Sequence, residues 1–162
     1  MTTIAFDGKI LAADSMSTTS GIVYGYAPKI WRLKDGRWFA ASGTRCAIFS
    51  VLNWLNAETE KPTFDDDDEV HGIIVDCDGN ARELWAKTLV IYPCAFIDGC
   101  WAGGSGWMFA QSAMALGLNA IDAVEHAAKF DTVTGEEVNY VKVLDKNPEL
   151  LSTVRIPGVT VQ

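Results

Sequence analysis

The 162-residue sequence predicts an α+β fold in which two antiparallel sheets pack face to face and helices cover their outer faces. Short extended segments follow one another across tight turns, which is typical of β-hairpins. Helical periodicity occurs in separate blocks rather than after each strand, so a parallel sheet built from βαβ units is disfavoured. A hydrophobic fraction of 49% is enough for a sizeable core, and we expect one domain over residues 1–162.

The chain begins with a predicted hairpin that holds a hydroxyl group close to its start. Apolar and smaller or polar residues alternate over 3–6, Asp7-Gly8 is a tight-turn pair, and residues 9–13 form a second extended, apolar segment that ends at Asp14. Taken alone, this segment is most simply an edge strand with no catalytic role.

A second interpretation depends on the loss of Met1. Thr2 would then carry both a free α-amine and a hydroxyl, and the amine could act as the base for its own nucleophile. The small side chain of Thr2 is of the size that permits Met removal.

The remaining elements are predicted from hydrophobic periodicity and from Gly, Pro and Asp punctuation. Predicted strands cover residues 22–26, 29–33, 37–42, 70–75, 81–85, 89–92, 95–101 and 138–143. Predicted helices cover residues 45–57, 107–116 and 120–130, with Thr44 and Asn119 as the N-caps of the first and third. The small polar residues 15–21 are predicted to form a loop, and the tail after Asp145 has little periodicity.

Composition disfavours several classes of partner. The net charge is −8 and no block of basic residues occurs, so nucleic acid and anionic membranes are improbable partners. No apolar segment approaches the length of a membrane span and no secretion signal is recognisable, which favours a cytoplasmic protein. The four cysteines form no CxxC pair, so neither a disulfide framework nor a zinc site is expected.

Three other features favour structural rather than chemical roles. The acidic run 65–69 lacks the spacing of a calcium loop, and the glycine-rich turn 102–106 lacks the Lys of a phosphate-binding loop and the spacing of a dinucleotide site, so no metal and no cofactor are expected. His71 and His126 are isolated from any candidate nucleophile. The six Trp residues are scattered, and we expect them in the core or in subunit contacts.

A set of motifs spread along the chain resembles the proteasome β-subunit and HslV-like family of N-terminal nucleophile (threonine) hydrolases. The resemblance extends from the start to about residue 143, and the matching motifs are Thr2-Thr3, Ala13-Asp14-Ser15, Lys29-Ile30, Gly43, Gly104-Ser105-Gly106, and Asp131-x-x-Thr134-Gly135 followed by Val138-Asn139. Thr134 stands where the family commonly has Ser. The family has two packed helices between Gly43 and Ser105, and this chain has room for one before its acidic loop.

The resemblance implies a four-layer αββα sandwich, the N-terminal nucleophile hydrolase fold, with one helix of the first pair missing or shortened. It also implies a threonine endopeptidase that forms an acyl-enzyme on Thr2. Thr2 is the implied nucleophile, and Gly43 would donate its backbone N–H to the oxyanion. Lys29 would lower the pKa of the α-amine, and Asp14 would hold Lys29 charged and oriented. Ser105, Asp131 and Thr134 would orient the amine and a catalytic water.

The position of three residues beside these motifs indicates a substrate pocket formed by Ala27, Ala41 and Arg45. The implied substrate is a peptide or an unfolded protein, the implied assembly is a homo-oligomeric ring, and an ATP-dependent unfoldase is a candidate partner. Two alternatives remain open: a proteasome-like ring without turnover, and an N-terminal nucleophile amidohydrolase acting on a small amide.

Overall fold

The computed structural model describes residues 1–85 and 87–153. The strands are β1 (Thr3–Phe6), β2 (Ile10–Asp14), β3 (Met16–Thr19), β4 (Ile22–Tyr26), β5 (Ile30–Arg32), β6 (Trp38–Gly43), β7 (Val70–Val75), β8 (Ala81–Trp85), β9 (Val90–Pro93), β10 (Trp101–Gly104), β11 (Val138–Lys142) and β12 (Leu151–Ser152). The helices are α1 (Arg45–Leu55), α2 (Trp107–Ala115) and α3 (Ala120–Ala128).

Every strand pair is antiparallel, and the strands form two large sheets and one separate hairpin. The first sheet has the order β10-β1-β2-β11-β12, the second has the order β5-β6-β7-β8-β9, and β3 pairs with β4 alone. The predicted α+β class with antiparallel sheets is therefore confirmed. In the first sheet β1 pairs on one side with β2, which follows it directly, and on the other side with β10, which lies about a hundred residues further along the chain.

Side-chain alternation explains how the sheets and helices pack. In β1, Ile4 and Phe6 belong to a buried cluster shared with side chains of β5, β6 and β7, whereas Ala5 between them packs with α2 and α3. In β6, Ala40 joins the cluster between the sheets and Phe39 packs with α1. Because successive side chains of a strand point to opposite faces, and the other sheet covers one face and helices cover the other, each of these strands buries both faces.

Helix α3 is amphipathic, and its end is capped as predicted. The side chain of Asn119 accepts a hydrogen bond from the backbone N–H of Asp122, and Ala120, Ala123 and Val124 are buried. Among the described helices none is long and apolar enough to cross a membrane.

Some local predictions were wrong. Residues 15–21 were expected to be a loop, but residues 16–19 form β3, because small polar residues can pair across a hairpin when one of its faces stays open to solvent. Residues 95–101 were expected to be a strand, but the extended segment begins only at Trp101 and continues to Gly104. The tail after Asp145 contains β12, and residues 154–162 lie outside the described part of the chain.

Thr44 is the N-cap residue of α1, as predicted, but its side chain makes no capping hydrogen bond. Its hydroxyl instead accepts a hydrogen bond from the backbone N–H of Glu69, at 3.3 Å. Between Gly43 and Ser105, α1 is the one helix in the described residues, which agrees with the room the sequence allows.

Candidate active site

Strand pairing fixes the position of Thr2 at the start of β1. Thr3 pairs with Gly104, and the backbone N–H of Ser105 donates to the carbonyl oxygen of Thr2 at 2.8 Å. Gly104 has φ +87°, and a Cβ at this position would lie 1.8 Å from the Thr2 carbonyl oxygen. Because only glycine fits there, the Gly104-Ser105 turn can hold the Thr2 backbone closely.

A buried ion pair lies next to Thr2. The Lys29 ammonium is 3.1 Å from Oδ2 of Asp14, and the Asp14 side chain has no exposed surface. Burial lowers the pKa of Lys29, and the Asp14 carboxylate opposes that shift. Burial raises the pKa of Asp14, opposed by the charge of Lys29 and by backbone N–H groups of Gly135 and Thr3. Asp14 thus ties β1 and the 131–135 turn to Lys29.

Lys29 also contacts the backbone on the N-terminal side of Thr2. Its ammonium donates to the carbonyl oxygens of Met1 and Met16, at 3.1 and 2.6 Å. The Met1 carbonyl carbon is bonded to the Thr2 nitrogen, so Lys29 lies within a few ångströms of that nitrogen. Burial and then the charge of Lys29 lower the pKa of the Met1 α-amine below its ordinary value of 8.0.

Several hydroxyl groups near Thr2 form a hydrogen-bond network around one carboxylate oxygen, that of Asp131. Ser105 and Thr134 each donate to Oδ2 of Asp131 at 2.6 Å. The Ser105 hydroxyl also lies 3.4 Å from the Thr2 carbonyl oxygen. The network therefore joins the predicted residues Ser105, Asp131 and Thr134 into one group that contacts the Thr2 backbone.

Thr3 also belongs to this network, although no catalytic role for it is expected from the sequence. Its hydroxyl lies 2.6 Å from that of Thr134, and its side chain is fully buried. Because the Thr134 proton points to Asp131, Thr3 must be the donor in this pair. Thr3 belongs to the matching Thr2-Thr3 motif, but nothing in the sequence around it indicates its contact with Thr134, since Thr is common in strands and Thr3 alternates with apolar neighbours.

Gly43 ends β6 at the junction with α1. Its φ is +126°, and a Cβ there would lie 1.9 Å from the carbonyl oxygen of Glu69, so the close approach of β6 and the residue before β7 requires glycine. The register of β6 with β7 places Gly43 opposite Val70.

An open cleft begins at Thr2. Its volume is about 480 Å³ including the mouth, and the lining includes Thr2, Lys29, Gly43 and all three residues predicted to form the pocket, namely Ala27, Ala41 and Arg45. Aromatic side chains line it as well, including Trp31, which contacts Phe49 edge to face at 5.8 Å. The predicted pocket residues and the predicted nucleophile therefore share one cavity.

The described residues contain no cluster of His, Cys, Asp and Glu side chains arranged to hold a metal ion. The chemistry available at this site comes from a hydroxyl, an α-amine released when Met1 is lost, an ammonium, two carboxylates and backbone N–H groups.

Comparisons with known proteins identify the fold. No protein-family model matches the sequence, and no curated protein matches it. Among solved structures, the crystal structure of eukaryotic HslV from Trypanosoma brucei superimposes with a TM-score of 0.65 at 20% sequence identity, covering 85% of this chain and 97% of that one. The chain therefore has an HslV-like α+β fold.

Proposed function

We propose that this chain is a threonine peptidase that uses the N-terminal Thr2 exposed after removal of Met1. The observation that carries the proposal is the convergence around Thr2 of a buried Lys29–Asp14 pair and the Ser105–Asp131 hydrogen bond, contributed by segments up to about 130 residues apart. The HslV-like fold supports it, because the resemblance of the motifs is to a family of such hydrolases.

In the proposed reaction the neutral α-amine of Thr2 takes the proton of the Thr2 hydroxyl as the oxygen attacks the substrate carbonyl carbon. The backbone N–H of Gly43 stabilises the oxyanion that forms. The protonated amine then gives its proton to the leaving amine of the peptide, which departs and leaves an ester on Thr2. Water, activated by the same amine, hydrolyses the ester and restores the hydroxyl.

The charged groups around Thr2 make the amine an effective base. An α-amine has a reference pKa near ~8, and the nearby Lys29 ammonium disfavours a second positive charge. Asp14 keeps Lys29 in place, while Ser105, Asp131 and Thr134 orient the amine and the hydrolytic water. Ala27, Ala41 and Arg45 contact the substrate side chain.

We further propose that residues 1–162 form one domain with four layers, in which α1 covers the second sheet and α2 and α3 cover the first. The cluster between the sheets and the two clusters under the helices support this arrangement. The working form is a homo-oligomeric ring in the cytoplasm that takes peptides or, with an ATP-dependent unfoldase, unfolded proteins.

Intact-mass spectrometry with an epoxyketone inhibitor tests the proposal. We expect the loss of Met1, one adduct per chain on Thr2, and hydrolysis of fluorogenic peptides. Thr2→Ala abolishes both adduct and hydrolysis, whereas Thr19→Ala, at an exposed position of β3, leaves them unchanged. Retention of Met1 with no adduct and no hydrolysis would overturn the proposal in favour of a ring without turnover. An adduct accompanied by hydrolysis of small amides alone would indicate an amidohydrolase.

A further inference from the structure

The cleft beside Thr2 is lined by positively charged side chains without acidic ones. Its lining contains two basic side chains, Lys29 and Arg45, and no acidic one. The charge of Lys29 is offset by Asp14, which lies behind the lining and is fully buried. Arg45 is therefore the cation that the cleft presents, in a chain whose net charge is −8.

Arg45 has no acidic partner elsewhere in residues 1–85 and 87–153. The ion pairs found there involve other cations, and the contact recorded for the Arg45 guanidinium is with the ring of Phe49, 5.8 Å from its centroid. Phe49 lines the same cleft, so the Arg45 guanidinium lies against an aromatic ring of the cleft. Its N–H groups remain available to donate hydrogen bonds to a ligand.

The position of Arg45 in α1 is unfavourable for helix stability. It is the first residue of the helix, the first turn contains no acidic residue, and the N-cap hydroxyl makes no capping bond. A positive charge at this end of a helix opposes the helix dipole. Arg45 thus contributes little to the stability of α1, which favours a role in the cleft.

From these observations we propose that the cleft selects peptides with an acidic side chain on the residue whose carbonyl Thr2 attacks, with glutamate preferred to glutamine. This inference rests on the proposed peptidase activity. The methylene groups of the glutamate side chain contact the apolar lining, including Ile48 and Phe49, while its carboxylate accepts charge-assisted hydrogen bonds from Arg45. An isolated cation in a cleft of an acidic protein also concentrates anionic ligands locally.

A panel of peptides that differ in this one residue tests the inference. Peptides with Glu, Gln, Leu or Lys before the fluorogenic leaving group are compared by kcat/KM, in the wild-type protein and in Arg45→Gln. We expect kcat/KM for the Glu peptide to exceed that for the Gln peptide by about tenfold in the wild-type protein, and this ratio to fall toward one in Arg45→Gln. Raising the salt concentration lowers the Glu to Gln ratio, because an open cleft is screened.

Arg32→Gln is the matched control. Arg32 is also exposed and lies over an aromatic ring, that of Trp38 at 5.8 Å, but it is not part of the cleft lining. Its substitution should leave the Glu to Gln ratio unchanged.

The possible outcomes separate the inference from the proposed function. Equal rates for Glu and Gln, a preference for Leu or Lys, or an unchanged ratio in Arg45→Gln would overturn the inference while the peptidase activity stands. If no peptide is hydrolysed and Thr2 takes no epoxyketone adduct, the proposed function itself fails and the inference fails with it.

Discussion

We expect Lys29 to set the pH range in which the proposed site works. It lies 3.1 Å from both the Met1 carbonyl oxygen and the Asp14 carboxylate, with its ammonium largely buried. Burial, and after it the positive charge of Lys29, lowers the pKa of the nearby Met1 α-amine, whereas the smaller contribution of Asp14 raises it. The balance of these two charges can be measured through the pH dependence of activity.

We predict that kcat/KM rises with pH, with a midpoint below the ordinary α-amine pKa of about 8, because the amine must be neutral to act as a base. In Lys29→Gln the cation is lost while the Asp14 carboxylate remains, so the ammonium form of the amine is favoured and the midpoint moves up by about one to three pH units. The pH profile of peptide hydrolysis measures this shift. A midpoint that stays in place or falls would contradict the assigned role of Lys29.

Thr3 offers a second test at the residue scale. Its buried hydroxyl donates to Thr134, which in turn donates to Asp131. Thr3→Val keeps the shape but leaves the Thr134 oxygen without this donor, at a cost of about 1–3 kcal/mol in unfolding free energy.

Urea unfolding and kcat are the measurements for Thr3→Val, and we expect kcat to fall as Asp131 loses its fixed orientation. Thr19→Val, on the exposed part of β3, is the strand control and should change neither quantity by more than about 0.5 kcal/mol or its equivalent in rate. A wild-type kcat in Thr3→Val would remove Thr3 from the network that serves the site.

At the scale of elements, the turn after β10 positions Thr2. Gly104 and Gly117 both have positive φ, +87° and +100°, but a Cβ at Gly104 would meet the Thr2 carbonyl oxygen at 1.8 Å and a Cβ at Gly117 would meet nothing within 4 Å. Substituting Gly104 and Gly117 in turn therefore separates two contributions to the loss of unfolding free energy, the strained backbone conformation and the steric clash.

Gly117→Ala should lose about 1–2 kcal/mol in unfolding free energy from its backbone conformation alone. Gly104→Ala should lose about 1–3 kcal/mol more and should also lose peptidase activity, because β1 must move away from β10. Thermal or urea unfolding of the two variants, together with peptide hydrolysis, provides the comparison. Equal costs, with activity retained in Gly104→Ala, would show that Thr2 does not depend on this close approach.

The sequence predicted well those elements that are determined by neighbouring residues. The hairpin from β1 to β2 follows from apolar alternation and the Asp7-Gly8 pair, and α3 follows from its amphipathic period and the Asn119 cap. Other features depend on distant partners, as β10 does, because it extends from Trp101 to Gly104 by pairing with β1. Thr44 turns its hydroxyl to the N–H of Glu69, which is far away in sequence, and no local rule reveals this choice.

The candidate site could be assembled from the sequence only through the whole set of motifs. Asp14, Lys29 and Asp131 are individually ordinary surface or turn residues by type, and their spacing along the chain does not say that they meet. Their proximity depends on strand order, with β2 between β1 and β11, and strand order is decided by non-local packing. Thr3 was missed because its partner, Thr134, lies 131 residues away.

At the scale of the whole molecule, the separate β3–β4 hairpin exposes large apolar side chains. Ile22 is 72% exposed, Tyr24 58% and Tyr26 60%. Clusters of exposed apolar residues mark interaction sites, so we predict that these three side chains of β4 contact a neighbouring copy of the chain in the proposed ring.

Analytical ultracentrifugation should therefore give a mass several times that of the 17.6 kDa single chain. Ile22→Ser combined with Tyr24→Ser should shift the protein toward the monomer, whereas Leu116→Ser, which removes an 82% exposed apolar side chain after α2, should not. A wild-type monomer across the micromolar range would contradict the ring, and dissociation by Leu116→Ser alone would place the contact elsewhere.

The pairing of β1 with β10 and of β2 with β11 also controls when the site forms during synthesis. Thr2 is synthesised before its neighbours Ser105 and Asp131 and the strand β11, which follow more than a hundred residues later in the chain. Contacts so distant in sequence form late in folding. In the proposed mechanism Thr2, Asp14 and Lys29 are therefore made before Ser105 and Asp131, the residues proposed to orient the amine, and we expect no cleavage of other proteins until these later residues have folded against Thr2.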